Sequence, residues 1–219
     1  MSESISKHSV KTAWVMIIFT LVGTLALALM HQQTREPIAE AEAETRMRLF
    51  SQVISQEAYD NDLLHDTITI PAGGALNNRE ETLLYRARLA NKPSAVVMQV
   101  TAPDGYSGDI KLLMAIDMKA NVLGVRVIAH RETPGLGDYI DVAHDSWIEH
   151  FKGASLALGD DAWAVKKDGG QFVYRTGATI SPRAVVKAVH QAVKIFAQQR
   201  DAIFKLPAQQ SLQLGDPAS

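Results

Sequence analysis

Residues 12–30, "TAWVMIIFTLVGTLALALM", carry no charged side chain and lie between Lys11 and His31. As a helix this stretch rises roughly 28 Å, close to the hydrocarbon thickness of a bilayer. Trp14 stands at its N-terminal edge, where an interfacial aromatic is expected. A cleavable signal peptide is the competing reading: Lys7 and Lys11 form a basic leader and Ala26-Leu27-Ala28 resembles an A-x-A cleavage site. The length of the apolar run favours a retained anchor. Basic residues are nearly balanced about the span, with Arg35, Arg46 and Arg48 following it. Either reading sends the long C-terminal part across the membrane.

That anchor leaves one ordinary domain to be built from the rest. Hydrophobic residues make up 47% and charged residues 21%, a globular balance. The net charge of −2 gives no footprint for nucleic acid, so none is expected as a partner. Cysteine is absent, which excludes disulfides, thiolate-held clusters and Cys nucleophiles. The seven histidines are scattered without ligand spacing, so no metal site is expected.

After Pro37, "PIAEAEAETRMRLFSQVIS" predicts a helix with a polar first half, read as a stalk. "PAGGALNN" predicts a loop. Residues 82–90 alternate as a strand, with Tyr85, Ala87 and Leu89 on one face and Arg86 and Arg88 on the other. "NKP" makes a turn, "SAVVMQVT" a second strand and "APDGYSG" a loop. "IKLLMAID" and "VLGVRVIAH" then pair across "MKAN". "DVAHDSWIEHF" predicts a helix with Val142, Trp147, Ile148 and Phe151 inward, and "WAVKKDGGQFVYR" two short strands joined at residues 168–170. "SPRAVVKAVHQAVKIFAQQRDAIF" closes the domain as a long amphipathic helix, with Ser181 as N-cap and Pro182 at the first helical position. The expected class is α+β: an antiparallel sheet with packed helices, preceded by one transmembrane helix.

Three stretches can carry chemistry. In "RTGATISPR", Thr176, Gly177, Ala178 and Thr179 precede a helix start, where unpaired amides attract anions. In "HRETPGLGDYI", Glu132, Thr133, Gly135, Leu136 and Gly137 form a loop after a strand, where glycines would let a planar ring lie against backbone. In "WAVKKDGG", Lys166 or Lys167 could reach a phosphate or a ring carbonyl. Each also has a plainer reading, as a capped turn, a strand-to-helix turn and a solvated basic pair. No Ser–His–acid arrangement can be argued, and Asp160-Asp161 reads as a solvated pair.

Taken together these pieces carry a resemblance. "TGATIS" before an apolar helix resembles the flavinylation motif of the FMN-binding domain family. "TAPDGYSG", "ETPGLGD", "SWIEHF" and "WAVKKDGG" resemble the G subunits of Rnf electron-transport complexes, themselves similar to the C subunit of the sodium-translocating NADH:quinone oxidoreductase. The similarity covers essentially the whole chain. It implies a bacterial inner-membrane, single-pass protein whose C-terminal domain faces the periplasm and holds one FMN, relaying electrons as part of an ion-translocating oxidoreductase. It also implies that a flavin transferase, using FAD and Mg²⁺, esterifies the flavin phosphate to Thr179. Thr176, Gly177 and Ala178 would complete the recognition site, and Glu132 to Gly137 would lie against the flavin. One position departs: the family pattern has Asp three residues before the first motif Thr, where this chain has Val173.

The implied organisation is a cytoplasmic tail over 1–11, the span over 12–30, a stalk region over 31–60 and a periplasmic FMN-binding domain over 61–219. Two alternatives remain open at this point: an anchored sensor holding a non-redox ligand, and an assembly subunit without cofactor.

Overall fold

The computed structural model describes residues 2–215 and divides into two compact units, Met1–Arg48 and Leu49–Ser219. The first unit is one helix, α1 (Ser2–Phe50), whose last two residues already belong to the second unit. The helix expected after Pro37 is a continuation of α1, so Pro37 sits inside it at the loss of one backbone hydrogen bond. Within α1, Ala13–Gln33 is long and apolar enough to cross a membrane, and its large apolar side chains are exposed, Phe19 by 80%.

The second unit is built on a five-stranded antiparallel meander in chain order: β1 (Thr67–Ile70), β2 (Thr82–Leu89), β3 (Lys92–Gly105), β4 (Gly108–Asp117) and β5 (Val122–Ala129). Strand β1, "TITI", is an element that the sequence pattern did not announce. The β2–β3 turn is Ala90–Asn91, both with positive φ (49° and 61°), the twist-matched geometry of a two-residue hairpin. The loop expected at "APDGYSG" is instead a continuation of both strands, joined by Tyr106–Ser107 alone. Gly105 makes this possible. A Cβ there would lie 2.2 Å from the carbonyl oxygen of Gly108.

Helix α2 (Ile180–Lys205) lies across one face of the sheet. Its Val185, Val189, Val193 and Phe196 share a buried core with Ile68, Leu84, Val96, Met98, Leu112 and Met114. At about 25 cal/mol per Å² of apolar surface, these contacts dominate the stability of the unit. The opposite face buries Tyr85, Val97 and Leu113. Phe50 packs edge-on to Tyr85 at 4.6 Å, and Val53 comes so close to Gly124 that any side chain there would clash. The alternation of β2 holds, but its arginine face is the one α2 covers. Arg86 is buried there at 2% exposure, paired with Asp66.

Between β5 and α2 the chain runs through short 3₁₀ turns. The helix expected over 141–151 forms only as Ser146–Phe151. Asp141 and Asp145 each accept a backbone N–H two residues on, from Ala143 and Trp147, and so restart the chain instead of letting a helix propagate. Trp147, Ile148 and Phe151 point inward as expected, whereas Val142 is 37% exposed. The hairpin expected over 163–175 is absent. Gly170 folds against the Ala164 backbone and Val165 meets Phe172 in a single parallel bridge, leaving a 3₁₀ turn at Lys166–Asp168. Phe172 and Phe151 stack at 4.6 Å, with Trp147 edge-on to Phe151.

Candidate functional site

Three segments far apart in sequence meet at one end of the sheet. The first is the loop after β5. Thr133 O accepts the amides of Leu136 (3.1 Å) and Gly137 (3.0 Å), closing a turn with Pro134 and Gly135 at its tip. Gly135 has φ +74°, which a Cβ would strain. The carboxyl of Asp138 is held below the usual carboxylate range, chiefly by the backbone N–H of Gly135. Gly137 is required for another reason. A Cβ on it would meet Glu132 Oε2 at 2.9 Å and Ser181 Oγ at 3.2 Å.

Glu132 is the joint between all three segments. Its side chain is buried at 4% exposure. One carboxylate oxygen accepts the Ser107 N–H at the β3–β4 tip, at 3.1 Å, and the other accepts the Ser181 hydroxyl at the start of α2. The second bond explains a departure from the sequence expectation. Ser181 is not the N-cap, because its hydroxyl is committed to a buried carboxylate. The N-cap is Thr179, with φ −96° and ψ −23°, and its side chain makes no capping bond.

The motif turn itself is closed by Ala178 N–H donating to Arg175 O at 3.1 Å, with Gly177 at φ +89°. The segment before it is fastened by the 3₁₀ region. Trp147 Nε1–H donates to Val173 O at 2.7 Å, so the residue at the departing position is held through its backbone. The buried Tyr139 hydroxyl donates to Ala178 O at 3.0 Å and accepts the Arg175 amide at 3.1 Å. Burial pushes the Tyr139 phenol up, so it stays a protonated donor at neutral pH. The Arg175 guanidinium lies 4.8 Å from the Tyr139 ring centre and pairs with Asp145.

The three segments enclose a cavity of about 120 Å³, lined by Glu132, Thr133, Leu136 and Gly137 from the loop, Gly177 to Ser181 from the turn and helix start, and Tyr106 from the hairpin tip. Seven of the residues singled out in the sequence therefore face one cavity: Glu132, Thr133, Leu136, Gly137, Gly177, Ala178 and Thr179. Gly135 shapes the loop from its tip, and Thr176 is exposed beside the turn, outside the lining. Lys166 is not brought to the cavity, lying exposed on the 3₁₀ turn Lys166–Asp168. Tyr106 and Ile180 line it without having been singled out, and Ser181 lines it although the sequence marked it only as a helix cap. An aromatic at the tip of a two-residue hairpin was the available signal for Tyr106, hidden by reading that stretch as a loop.

This arrangement suits a ligand with one anionic end and one flat apolar end. The first amides of α2 have no intrahelical acceptor and the Thr179 side chain does not satisfy them. Around the opening, Tyr106 (67%), Leu136 (46%) and Ile180 (45%) expose large apolar surfaces. FMN has those two ends, and the residues present fit it.

Residues 105–194 match the FMN-binding domain family, and residues 1–53 match the RnfG N-terminal region. The chain is similar to the G subunit of the ion-translocating oxidoreductase complex of Shewanella baltica, 43% identical over 90% of this chain and 94% of the relative. It is 43% identical to the corresponding protein of Pseudomonas aeruginosa, covering 93% of this chain and 95% of the relative. The Yersinia pestis counterpart is 42% identical over 95% and 98% of the two chains.

Proposed function

Because the chain belongs to the family of ion-translocating oxidoreductase complex G subunits, we propose that Thr179 carries its FMN as a phosphoester and that the domain relays electrons in such a complex. The coarser part follows from the family: an electron-transport flavoprotein with an FMN-binding domain, anchored by an N-terminal apolar helix and working beside other subunits.

The observation that carries the covalent reading is the state of Thr179. It sits at the helix N-terminus, on the cavity wall, with a hydroxyl that the fold leaves out of helix capping. A phosphate esterified there lies against the open amides of α2, where the helix dipole favours negative charge. Gly177 and Ala178 keep side-chain bulk away from that approach. Leu136, Ile180 and Tyr106 flank the ring system, and the Glu132 bonds to Ser107 and Ser181 hold the three walls in register. Bound FMN supplies one- and two-electron redox steps that no side chain here can supply. The protein's part is position, retention and shielding. A tether matters where a released cofactor would be lost to the surroundings, which suits a domain on the periplasmic side of the inner membrane.

Maturation then requires a flavin transferase that recognises the Thr176–Thr179 turn and uses FAD with Mg²⁺. Co-expression with such an enzyme should give a protein band that keeps flavin fluorescence after denaturation in a gel. Thr179→Ala should be dark. Equal fluorescence from Thr179→Ala would move the attachment elsewhere, and a dark wild-type protein would refute the covalent reading.

A further inference from the structure

The Arg175–Ala178 turn has a latch that is not needed to form the turn itself. Its own backbone bond, Ala178 N–H to Arg175 O, already closes it. The Tyr139 hydroxyl adds two bonds, accepting from the Arg175 amide and donating to the Ala178 carbonyl. The peptide of that carbonyl leads directly to Thr179. Arg175 lies over the ring and is held by Asp145, so the latch is covered from outside by an ion pair. Trp147, edge-on to Tyr139 at 5.8 Å, fixes Val173 on the other side.

We propose that Tyr139 is a positioning residue for the modification of Thr179, its hydroxyl fixing the peptide that aims the Thr179 hydroxyl at the incoming flavin phosphate. The proposal rests on the covalent-FMN reading. In the transfer step the Thr179 oxygen bonds to the FMN-side phosphorus of FAD and the bond from that phosphorus to the AMP oxygen breaks. AMP leaves and the hydroxyl proton passes to solvent. A nucleophile held at the correct angle gains mainly in the rate of this step, because orientation has been fixed before the encounter.

The test is transfer in vitro, with full-length apoprotein, purified transferase, FAD and Mg²⁺, following both AMP release and fluorescence of the denatured band. Tyr139→Phe keeps the ring packed on Trp147 and removes only the latch. Its kcat should fall about tenfold while KM for the protein substrate stays within about twofold, as expected when alignment and not docking is lost. Ile148→Val, in the same buried layer but away from the turn, should cost comparable stability and stay within about twofold of wild type. Amide exchange at Ala178 should rise in Tyr139→Phe and not in Ile148→Val. Should Tyr139→Phe fail to fold, Arg175→Gln, on an exposed side chain, should slow transfer about threefold by uncovering the latch. A Tyr139→Phe protein modified at the wild-type rate, or slowed no more than Ile148→Val, overturns the proposal. A wild-type protein that accepts no FMN refutes the covalent reading instead, so the two failures are distinguishable.

Discussion

At the C-terminal end of α2, the carbonyls of Ile203 and Leu206 accept the buried Arg86 guanidinium at 3.0 and 2.5 Å, and Asp66 neutralises it from behind. At the N-terminal end nothing comparable happens. Thr179 occupies the cap position without capping, Pro182 has no N–H to offer, and Ser181 turns to Glu132. One end of the helix is finished by a charged side chain drawn from the sheet, and the other is left open onto a cavity. Orphan backbone groups at a helix end need a partner. Where the fold supplies one the end is structural, and where it withholds one the end is available to a ligand.

Breaking the closed end should have the largest effect. Arg86→Ala leaves two carbonyls without their donor and Asp66 paired with Arg88 alone, a loss of about 3 kcal/mol, the low end for a buried pair broken on one side. Urea unfolding should show it as a large drop in midpoint, with flavin attachment unchanged in the fraction that remains folded. The open end should tolerate change better. Glu132→Ala strands the Ser107 amide and the Ser181 hydroxyl, at about 1–3 kcal/mol, while Glu132→Gln retains an acceptor and a donor and should cost less. The same urea titration ranks the pair, and a larger loss from Glu132→Gln would contradict the hydrogen-bond assignment. Gly177→Ala imposes a side chain on φ +89°, in ordinary contact with Leu136 at 3.9 Å, and the same titration should read a cost of about 1–2 kcal/mol from the backbone conformation alone.

The smallest effect is on pH dependence. The Asp138 pKa is depressed in the folded state, mainly by the Gly135 amide, so its stabilisation is complete above the unfolded carboxylate value of about 3.9 and is lost as pH falls through the lower folded value. Asp138→Asn should flatten the urea midpoint of the wild type over that acid window and leave the neutral range nearly parallel. An unchanged acid profile would remove Asp138 from the account of the loop.

The open end was far more legible in the sequence than the closed one. Gly177, the small residues beside it and the Thr133–Gly137 loop announce themselves by residue type, because a positive φ or a close approach admits few alternatives. The amphipathic period of α2 announced its core face, and the apolar runs "SAVVMQVT", "IKLLMAID" and "VLGVRVIAH" announced β3, β4 and β5. Arg86 did not. In an alternating strand an arginine marks the polar face, and only the position of α2, set more than 90 residues later, makes that face a buried one. Ser181 was misplaced as the cap because its competing partner, Glu132, is 49 residues away. The 3₁₀ region was misread as helix and hairpin because Asp141 and Asp145 compete locally with the helix, while Gly170 packs against a backbone that the sequence does not identify. Tyr139 was not singled out at all. Its role depends on a turn 36 residues away.

Whether the Thr179 hydroxyl carries the flavin is decided by an intact mass of the native protein with a peptide map around residue 179. The native protein should be heavier than its sequence by FMN less one water, with the whole increment on the peptide containing Thr179 and none on that peptide in Thr179→Ala. A mature, membrane-derived protein at its unmodified mass, or an increment mapped to any other residue, would contradict it.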